Sequence, residues 1–254
     1  MPRLQPVHGI PALSFGDAVV IADLHIGLES HLRSKGFHLV SRTDDMLGTL
    51  GRLSETHSRL IVLGDVKDAV PGRTKQESVE IPEFFRGLLD RFDRIDVVRG
   101  NHDTGLSDFL PDGVRLRPAK GFKVDGVGFV HGHRWPSEAT MDSETLVMAH
   151  EHPAVMFRDG VGRVSTEPCW IRGRFLGTQD RYPRVPGDVI VVPAFNRMLG
   201  GSPANVVGGA FLSPILSDGL VDLDGCRLYL LDGVDLGPRS SLMVEGRDRG
   251  RWKK

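Results

Sequence analysis

The sequence predicts an α/β fold with two β layers in one domain. In the first half, short apolar runs of strand length alternate with helical stretches, a pattern typical of parallel βαβ units. In the second half, Asp125-Gly126 lies between two short apolar runs and predicts a β-hairpin. The chain of 254 residues is long enough to bury one large core or two modest ones.

The first half of the chain predicts three strands and two helical stretches. The apolar runs with the length of buried strands are residues 18–22, 59–63 and 95–98. Leucine and methionine recur at helical spacing between about residues 28 and 53. A second helix is expected at 81–92, where Pro82 would be tolerated in the first turn.

The second half predicts a largely antiparallel layer. After the hairpin strands at 122–124 and 127–130, further β-like runs occur at 145–148, 170–175, 189–192 and 227–231. Residues 194–218 are rich in Gly, Pro, Ser and Asn, so we expect loops around short elements. No linker divides the chain, which predicts a single domain at 1–246. A basic tail follows at 247–254, either frayed or in weak contact with a phosphate backbone.

The composition of the chain restricts where the protein is expected to occur and which partners it is expected to bind. The net charge of −1 provides no global attraction to nucleic acid or to a membrane. No apolar run approaches the roughly 20 residues that span a bilayer. The N-terminus lacks the apolar core of a signal peptide, so a cytoplasmic location is expected. In that compartment Cys169 and Cys226 are expected to be two reduced, buried thiols.

Polar motifs follow five of the apolar runs directly. They are Asp23-Leu24-His25, Gly64-Asp65, Gly100-Asn101-His102-Asp103, His131-Gly132-His133 and His150-Glu151-His152. In open α/β sheets, ligands bind at the carboxyl ends of the strands, so these side chains are expected to meet at one edge. Such an arrangement of Asp, Asn and His predicts a metal site.

The number of candidate ligands indicates two metal ions. The candidates are Asp23, His25, Asp65, Asn101, His131, His150 and His152. Seven ligands are too many for one ion that keeps an open position, whereas two ions that share a carboxylate would use them all. Mixed oxygen and nitrogen donors favour Mn, Fe or Zn over Ca. Paired ions of this kind activate a bridging hydroxide for in-line attack on phosphate esters.

The same motifs resemble those of the calcineurin-like metallophosphoesterase superfamily. The pattern of that superfamily is D-x-H, G-D-x-x-D, G-N-H-D, an isolated H and G-H-x-H, and all five motifs occur here in order from Asp23 to His152. The resemblance implies a four-layer αββα sandwich of two mixed β-sheets flanked by helices. It also implies two divalent metal ions, with Mn²⁺ expected first and Fe, Zn or Ni as alternatives.

The resemblance also implies a role for each residue. The first metal would be held by Asp23, His25, Asp65 and His152, and the second by Asp65, Asn101, His131 and His150. His102 would contact the phosphate with Asn101 and protonate the leaving group, with Asp68 as its carboxylate partner and a favourable neighbour for the imidazolium. His133 would support a ligand or line the cleft, Asp103 would accept hydrogen bonds behind the ligands, and Glu151 would point away.

Within the superfamily, the sequence most resembles the small archaeal-type phosphoesterases related to the SbcD nuclease. The segments 22–29 and 192–196 carry this resemblance. Purple acid phosphatases need a Tyr after Gly-Asp, and Ser/Thr protein phosphatases carry G-D-x-V-D-R-G, so both branches are disfavoured here. A basic stretch with Arg172 and Arg174, and with Arg181 and Arg184 after them, would either grip a phosphodiester in the cleft or protect an edge strand.

The predicted function is therefore a phosphodiesterase or nuclease acting on nucleic acid or nucleotide derivatives. A phosphomonoesterase acting on a small metabolite is one alternative, and a non-catalytic metal-binding adaptor in a DNA-repair complex is another. The expected partners are a phosphoester substrate, with DNA or RNA as candidates, and a DNA-repair or helicase protein. No membrane partner is expected.

Overall fold

The computed structural model describes residues 3–37, 39–177 and 180–246 and contains two mixed β-sheets. The first sheet has six strands, in the order β1 to β6. They are β1 (Leu4–Pro6), β2 (Leu13–Phe15), β3 (Ala18–Ile21), β4 (Arg59–Val62), β5 (Arg94–Val98) and β6 (Val114–Arg117). Strands β3 to β6 are parallel, as the predicted βαβ units require.

The second sheet has nine strands, and most of its pairs are antiparallel. They are β7 (Phe122–Val124), β8 (Val127–Phe129), β9 (Thr145–Met148), β10 (Pro153–Arg158), β11 (Val164–Arg174), β12 (Asp188–Val191), β13 (Ser202–Pro203), β14 (Arg227–Leu230) and β15 (Asp235–Pro238). Strand β9 nevertheless runs parallel to both β8 and β12. The predicted hairpin forms between β7 and β8.

Five helices occur in the described part of the chain. They are α1 (Leu28–Ser34), α2 (Thr43–Leu53), α3 (Lys75–Leu89), α4 (Glu138–Met141) and α5 (Pro214–Ser217). The continuous helical stretch predicted at 28–53 is therefore two helices. Helix α3 begins at Lys75, because Thr74 and Glu77 form a capping box there. Pro82 lies inside this helix, so its predicted place in the first turn is wrong.

The hydrophobic side chains define four layers. Met46 and Phe84 represent α2 and α3, which pack on the outer face of the first sheet against Val19 and its neighbours. Phe15 of the first sheet and Trp170 of the second lie between the two sheets. On the far side, the core of the second sheet includes Met141, Ile215 and Leu216 of the short helices α4 and α5. The predicted sandwich of two mixed sheets flanked by helices is confirmed.

Three further expectations concern the thiols, the membrane and the tail. Cys169 and Cys226 are both free and buried, and burial raises the pKa of each thiol to about 12. No helix in residues 3–37, 39–177 or 180–246 is both long and apolar enough to cross a membrane. The predicted basic tail at 247–254 lies outside the described residues.

Candidate metal centre

The polar motifs follow parallel strands of both sheets. Asp23, Asp65 and Asn101 come after β3, β4 and β5 of the first sheet, while His131 and His150 come after β8 and β9 of the second. Because neighbouring strands in each set run in the same direction, their carboxyl ends share one edge. The structure brings the seven predicted ligands together where these two edges meet.

One group of candidate ligands consists of Asp23, His25, Asp65 and His152. One ligand atom from each lies within 4.8 Å of those from the others. His25 Nε2 lies 3.6 Å from Asp65 Oδ2, and His152 Nε2 lies 3.4 Å from Asp23 Oδ1. This group has the membership predicted for the first metal.

Asp65 also belongs to a second group, with His131 and His150. His131 Nε2 lies 3.3 Å from Asp65 Oδ2 and 3.1 Å from His150 Nδ1. The amide oxygen of Asn101 lies 3.0 Å from the same His131 nitrogen. These four residues are those predicted for the second metal, and Asp65 is common to both groups.

Most of these residues have a strained backbone. The non-glycine residues with positive φ in the described part of the chain are Asp23, His25, Asp65, Asp125, His150 and His152. Only Asp125, in the β7–β8 turn, is not a predicted ligand. A non-glycine residue in the left-handed region has a strained backbone of higher conformational free energy, and such strain concentrates at functional sites. The turns therefore hold these side chains toward a common point at a cost in stability.

The unpaired atoms of the first group fit a bound cation. Both carboxylate oxygens of Asp23 and the Nε2 atoms of His25 and His152 are buried without a hydrogen-bond partner. A buried carboxylate with no partner is unfavourable, because it loses its hydration without compensation. A divalent ion with oxygen and imidazole ligands would satisfy these atoms.

Asp65 and His131 form a tightly coupled buried pair. Burial alone would raise the pKa of Asp65, but the hydrogen bond and charge of His131 outweigh it and lower that pKa well below the usual range. Burial acts to lower the pKa of His131, but Asp65 and Asp23 together raise it to about 9. His131 Nδ1 lies 2.7 Å from the Leu63 carbonyl oxygen and donates to it, which directs Nε2 toward the ligands.

Asp103 joins the turns that follow β4 and β5. Its buried carboxylate accepts hydrogen bonds from the backbone N–H groups of Asp65, Val66 and Gly100, at 2.8–2.9 Å. Burial and the neighbouring charge of Asp65 raise its pKa. A Cβ atom at Gly100 would lie 2.4 Å from Asp65 N, so only glycine permits this approach. The predicted role of Asp103 as an acceptor behind the ligands is confirmed.

The Asp68 carboxylate does not form a hydrogen bond with the His102 ring, although one ligand atom of each lies within 4.8 Å in a third group with His25. Asp68 Oδ1 instead lies 3.0 Å from His25 Nδ1. The His102 ring is bonded to the same residue through the backbone, because His102 Nδ1 lies 2.6 Å from the Asp68 carbonyl oxygen. His102 Nε2 then lies 3.9 Å from Asp65 Oδ2. The positive φ of His25 turns its ring toward Asp68, which the sequence motif alone does not reveal.

Glu77 is a supporting residue that the motif analysis missed. Its Oε1 accepts from the backbone N–H groups of Asp68 and Ala69, at 3.0 and 2.7 Å, and its Oε2 accepts from Thr74 N. The side chain is fully buried at the N-terminus of α3. It therefore fixes the turn whose Asp68 contacts both His25 and His102. The Thr74-x-x-Glu77 spacing of a capping box was the available signal.

Glu151 and His133 lie beside the ligands. Glu151 points away as predicted, since its carboxylate accepts from the backbone N–H groups of Leu212 and Ser213, and burial raises its pKa. Burial and the nearby charge of His131 lower the pKa of His133 to about 4. The His133 ring centroid lies 5.2 Å from that of His131, and His133 is in none of the three groups of candidate ligands.

The predicted place of Arg172 and Arg174 in the cleft is wrong. Both are exposed near the end of β11, where Arg174 pairs with Asp188 at the start of β12. Strand β12 runs parallel to β9, so Arg174 lies at the end of the sheet opposite to the one that leads to His150, and Arg172 lines a recess with Glu144 and Thr145 at that same end. Strand β11 is also internal at Arg172, paired with both β12 and β14, which excludes the edge-strand alternative at that residue.

Comparisons with known proteins establish a fold. No protein-family model and no curated protein matches the chain. Among solved structures, the Pseudomonas putida nuclease MPE is 18% identical, with a TM-score of 0.55 over 90% of this chain and 96% of that one. The phosphoesterase Yfce from E. coli is 14% identical, with a TM-score of 0.40 over 87% of this chain and 96% of that one.

Vacuolar protein sorting 29 from Cryptosporidium parvum is 20% identical, with a TM-score of 0.31 over 58% of this chain and 70% of that one. Of these three structures, only the nuclease has a TM-score above 0.5, and its sequence identity to this chain is low. The chain therefore shares the fold of a known nuclease, and its chemistry has to be argued from its own residues.

Proposed function

We propose that the chain is a dinuclear-metal-dependent phosphoesterase, and more narrowly a phosphodiesterase that acts on nucleic acid or nucleotide derivatives. The observation that carries this proposal is that Asp65 belongs to two adjacent ligand groups. A single shared carboxylate is what a pair of ions requires. The fold likeness to a nuclease and the SbcD-like motifs support the preference for diesters.

Two divalent ions would be held by the seven predicted ligands, with Asp65 between them. We propose Mn²⁺, with Fe, Zn or Ni as alternatives that the same donors accept. When bound, such ions lower the pKa of a coordinated water and stabilise charge on the attacking and leaving oxygens.

The chain would contribute an acid through His102. Its Nδ1 donates to the Asp68 carbonyl oxygen, so Nε2 is the atom that faces the ligand groups. The side chain is 27% exposed, which leaves it accessible to a substrate. Nε2 would hold a proton and transfer it to the leaving group, while Asn101 and His102 contact the phosphate. A positioned general acid typically contributes about 10²–10⁴-fold.

The test is hydrolysis by the purified protein with Mn²⁺. We expect faster turnover of bis-p-nitrophenyl phosphate than of p-nitrophenyl phosphate, and cleavage within a panel of single-stranded DNA, duplex DNA and RNA. Asp65→Asn should lose on the order of a hundredfold or more of the rate, because it weakens both ligand groups. Asp188→Asn, an exposed carboxylate at the opposite end of the sheet, is the matched control.

Equal rates for Asp65→Asn and wild type, or no cleavage of any phosphoester, would contradict the proposal. Faster turnover of monoesters would favour a phosphomonoesterase instead. The cytoplasmic location and the DNA-repair or helicase partner stay predictions, and co-purification with a helicase without turnover would favour the adaptor.

A further inference from the structure

A cavity of about 570 Å³ opens beside the candidate metal centre. His152 of the first ligand group lines it, together with the apolar side chains of Pro153, Pro168, Leu230 and Leu231. Sites for small organic ligands typically have about 300–1,000 Å³ and mostly apolar walls. The cavity thus has the size and lining for an organic group placed next to a metal-bound phosphate.

Hydrogen bonds join the walls of this cavity to the ligand turns. Asn196 lies in the wall, and its Nδ2 donates to the carbonyl oxygen of Leu24, between the ligands Asp23 and His25, at 2.9 Å. On the other side, Ser202 N donates to the His152 carbonyl oxygen at 2.8 Å. These bonds fix the position of the cavity relative to the first ligand group.

The charged side chains at the cavity disfavour an anion. Glu167 and Asp232 are exposed carboxylates that line it, and Arg197 is the one basic side chain besides His152 among the described lining residues. Arg197 Nη2 donates to the Gly9 carbonyl oxygen at 2.5 Å, which holds the guanidinium in place. Apart from His152 and the ion that it would hold, two carboxylates face one guanidinium, and these carboxylates would repel a negative substituent.

The cavity also lies on a particular side of the centre. His152 lines it, but His102 is not among its described lining residues. Both rings contact His25, at centroid distances of 5.2 Å for His152 and 4.7 Å for His102, and of the two only His152 lines the cavity. A leaving group that receives a proton from His102 would therefore lie outside the cavity. A group in the cavity would be the one that stays attached to phosphorus.

We infer that this cavity binds the retained ester substituent of a phosphodiester, and that this substituent is an uncharged group of nucleoside or aryl size. The inference rests on the proposed function and narrows its substrate class. A nucleic-acid strand whose charged phosphates continued through the cavity would be disfavoured, while a diester with one neutral organic group would be favoured.

Gly200 offers a way to fill the cavity without strain. It lines the cavity, its φ is not positive, and a Cβ atom there would meet nothing within 4 Å. We compare bis-p-nitrophenyl phosphate with methyl p-nitrophenyl phosphate, which share a leaving group and differ in the retained substituent. Gly200→Trp should lower kcat/KM about tenfold or more for the first substrate and leave the second within about twofold.

Gly160→Trp is the matched control, because a Cβ atom there also meets nothing within 4 Å and Gly160 is not a lining residue. We expect this variant to process both substrates as wild type does. Thermal melting of both variants checks that each is folded. Equal losses on the two substrates, or no loss on either, would overturn the inference while leaving the proposed function intact. Absence of turnover by the wild type would overturn both.

A second comparison, between two esters that differ by one phosphate group, tests whether the cavity prefers an uncharged substituent. The p-nitrophenyl ester of thymidine 5′-phosphate should be a better substrate than the same ester with an added 3′-phosphate. Glu167→Gln should narrow that difference, because it removes one repelling carboxylate. A wild type that prefers the 3′-phosphorylated ester would overturn the neutral-group assignment.

Discussion

At the scale of single residues, Asp68 serves two histidines through different atoms. Its carboxylate contacts His25 Nδ1, and its backbone carbonyl oxygen accepts from His102 Nδ1. Partners on the second nitrogen of a metal-binding histidine set its tautomer and its ring orientation. The carboxylate of Asp68 is therefore hydrogen-bonded to a candidate metal ligand, and its backbone is hydrogen-bonded to the proposed acid.

Asp68→Ala should weaken metal binding rather than proton transfer. We expect about 10–100-fold lower metal affinity, because the His25 ring loses its orienting partner. His102 keeps its hydrogen bond, since the backbone carbonyl oxygen at residue 68 remains. Isothermal titration with Mn²⁺ measures the affinity, and rates at saturating metal show whether the dependence on the leaving group is unchanged.

His102→Ala is the complementary variant. It should bind metal as wild type does, yet lose up to about 10²–10⁴-fold of the rate on poor leaving groups and less on p-nitrophenolate, which needs no proton. Equal losses of rate on both kinds of leaving group would contradict the role of His102 as an acid. A larger rate loss on poor leaving groups than on p-nitrophenolate in Asp68→Ala, as expected for His102→Ala, would instead support the carboxylate pairing that the sequence predicted.

At the scale of elements, the start of α3 supports the site. The carboxylate of Glu77 closes the capping box with Thr74 and also binds the backbone of the turn at Asp68 and Ala69. The sequence predicts this helix only at 81–92, because apolar residues recur at helical spacing only in that part of it. The hydrogen bonds that connect the helix to the site come instead from its polar first turn, which contains Glu77.

Thr74→Ala and Glu77→Ala should therefore differ in their effects on stability and on metal binding. Thr74→Ala removes one cap and should cost about 1 kcal/mol of unfolding free energy. Glu77→Ala also leaves buried N–H groups without an acceptor, at about 1–3 kcal/mol each, and should weaken metal binding as well. Urea unfolding and Mn²⁺ titration of both variants check this. Equal metal affinities in the two variants would show that Glu77 only stabilises the helix.

At the scale of the whole molecule, the centre joins the two sheets. Asp23, Asp65 and Asn101 come from the first sheet, and His131 and His150 come from the second. Ions held between them would add to contacts between the sheets such as the packing of Phe15 on Phe129 and the hydrogen bond from His131 to the Leu63 carbonyl oxygen. Metal binding should therefore stabilise the folded chain as a unit.

Removing metal should lower the melting temperature. At a metal concentration of 100 Kd, binding contributes about 2.7 kcal/mol. For a chain of this size, that corresponds to roughly 5–10 °C. Calorimetry with added Mn²⁺ and with chelator measures the shift. Asp23→Asn should reduce it and Asp188→Asn should not, and an unchanged melting temperature on chelation would contradict a metal site between the sheets.

The sequence by itself determined the α/β class, nine of the fifteen described strands and the seven candidate ligands, because apolar runs and the polar motifs that follow them are local features. Only the tertiary structure decided which atoms meet. It placed the Asp68 carboxylate against His25, moved Arg172 and Arg174 to the far end of the second sheet, and connected Glu77 to the site. Those contacts depend on backbone turns and on strand register rather than on local sequence, and the capping box of Thr74 and Glu77 signals the start of α3 but not its hydrogen bonds to the turn at Asp68.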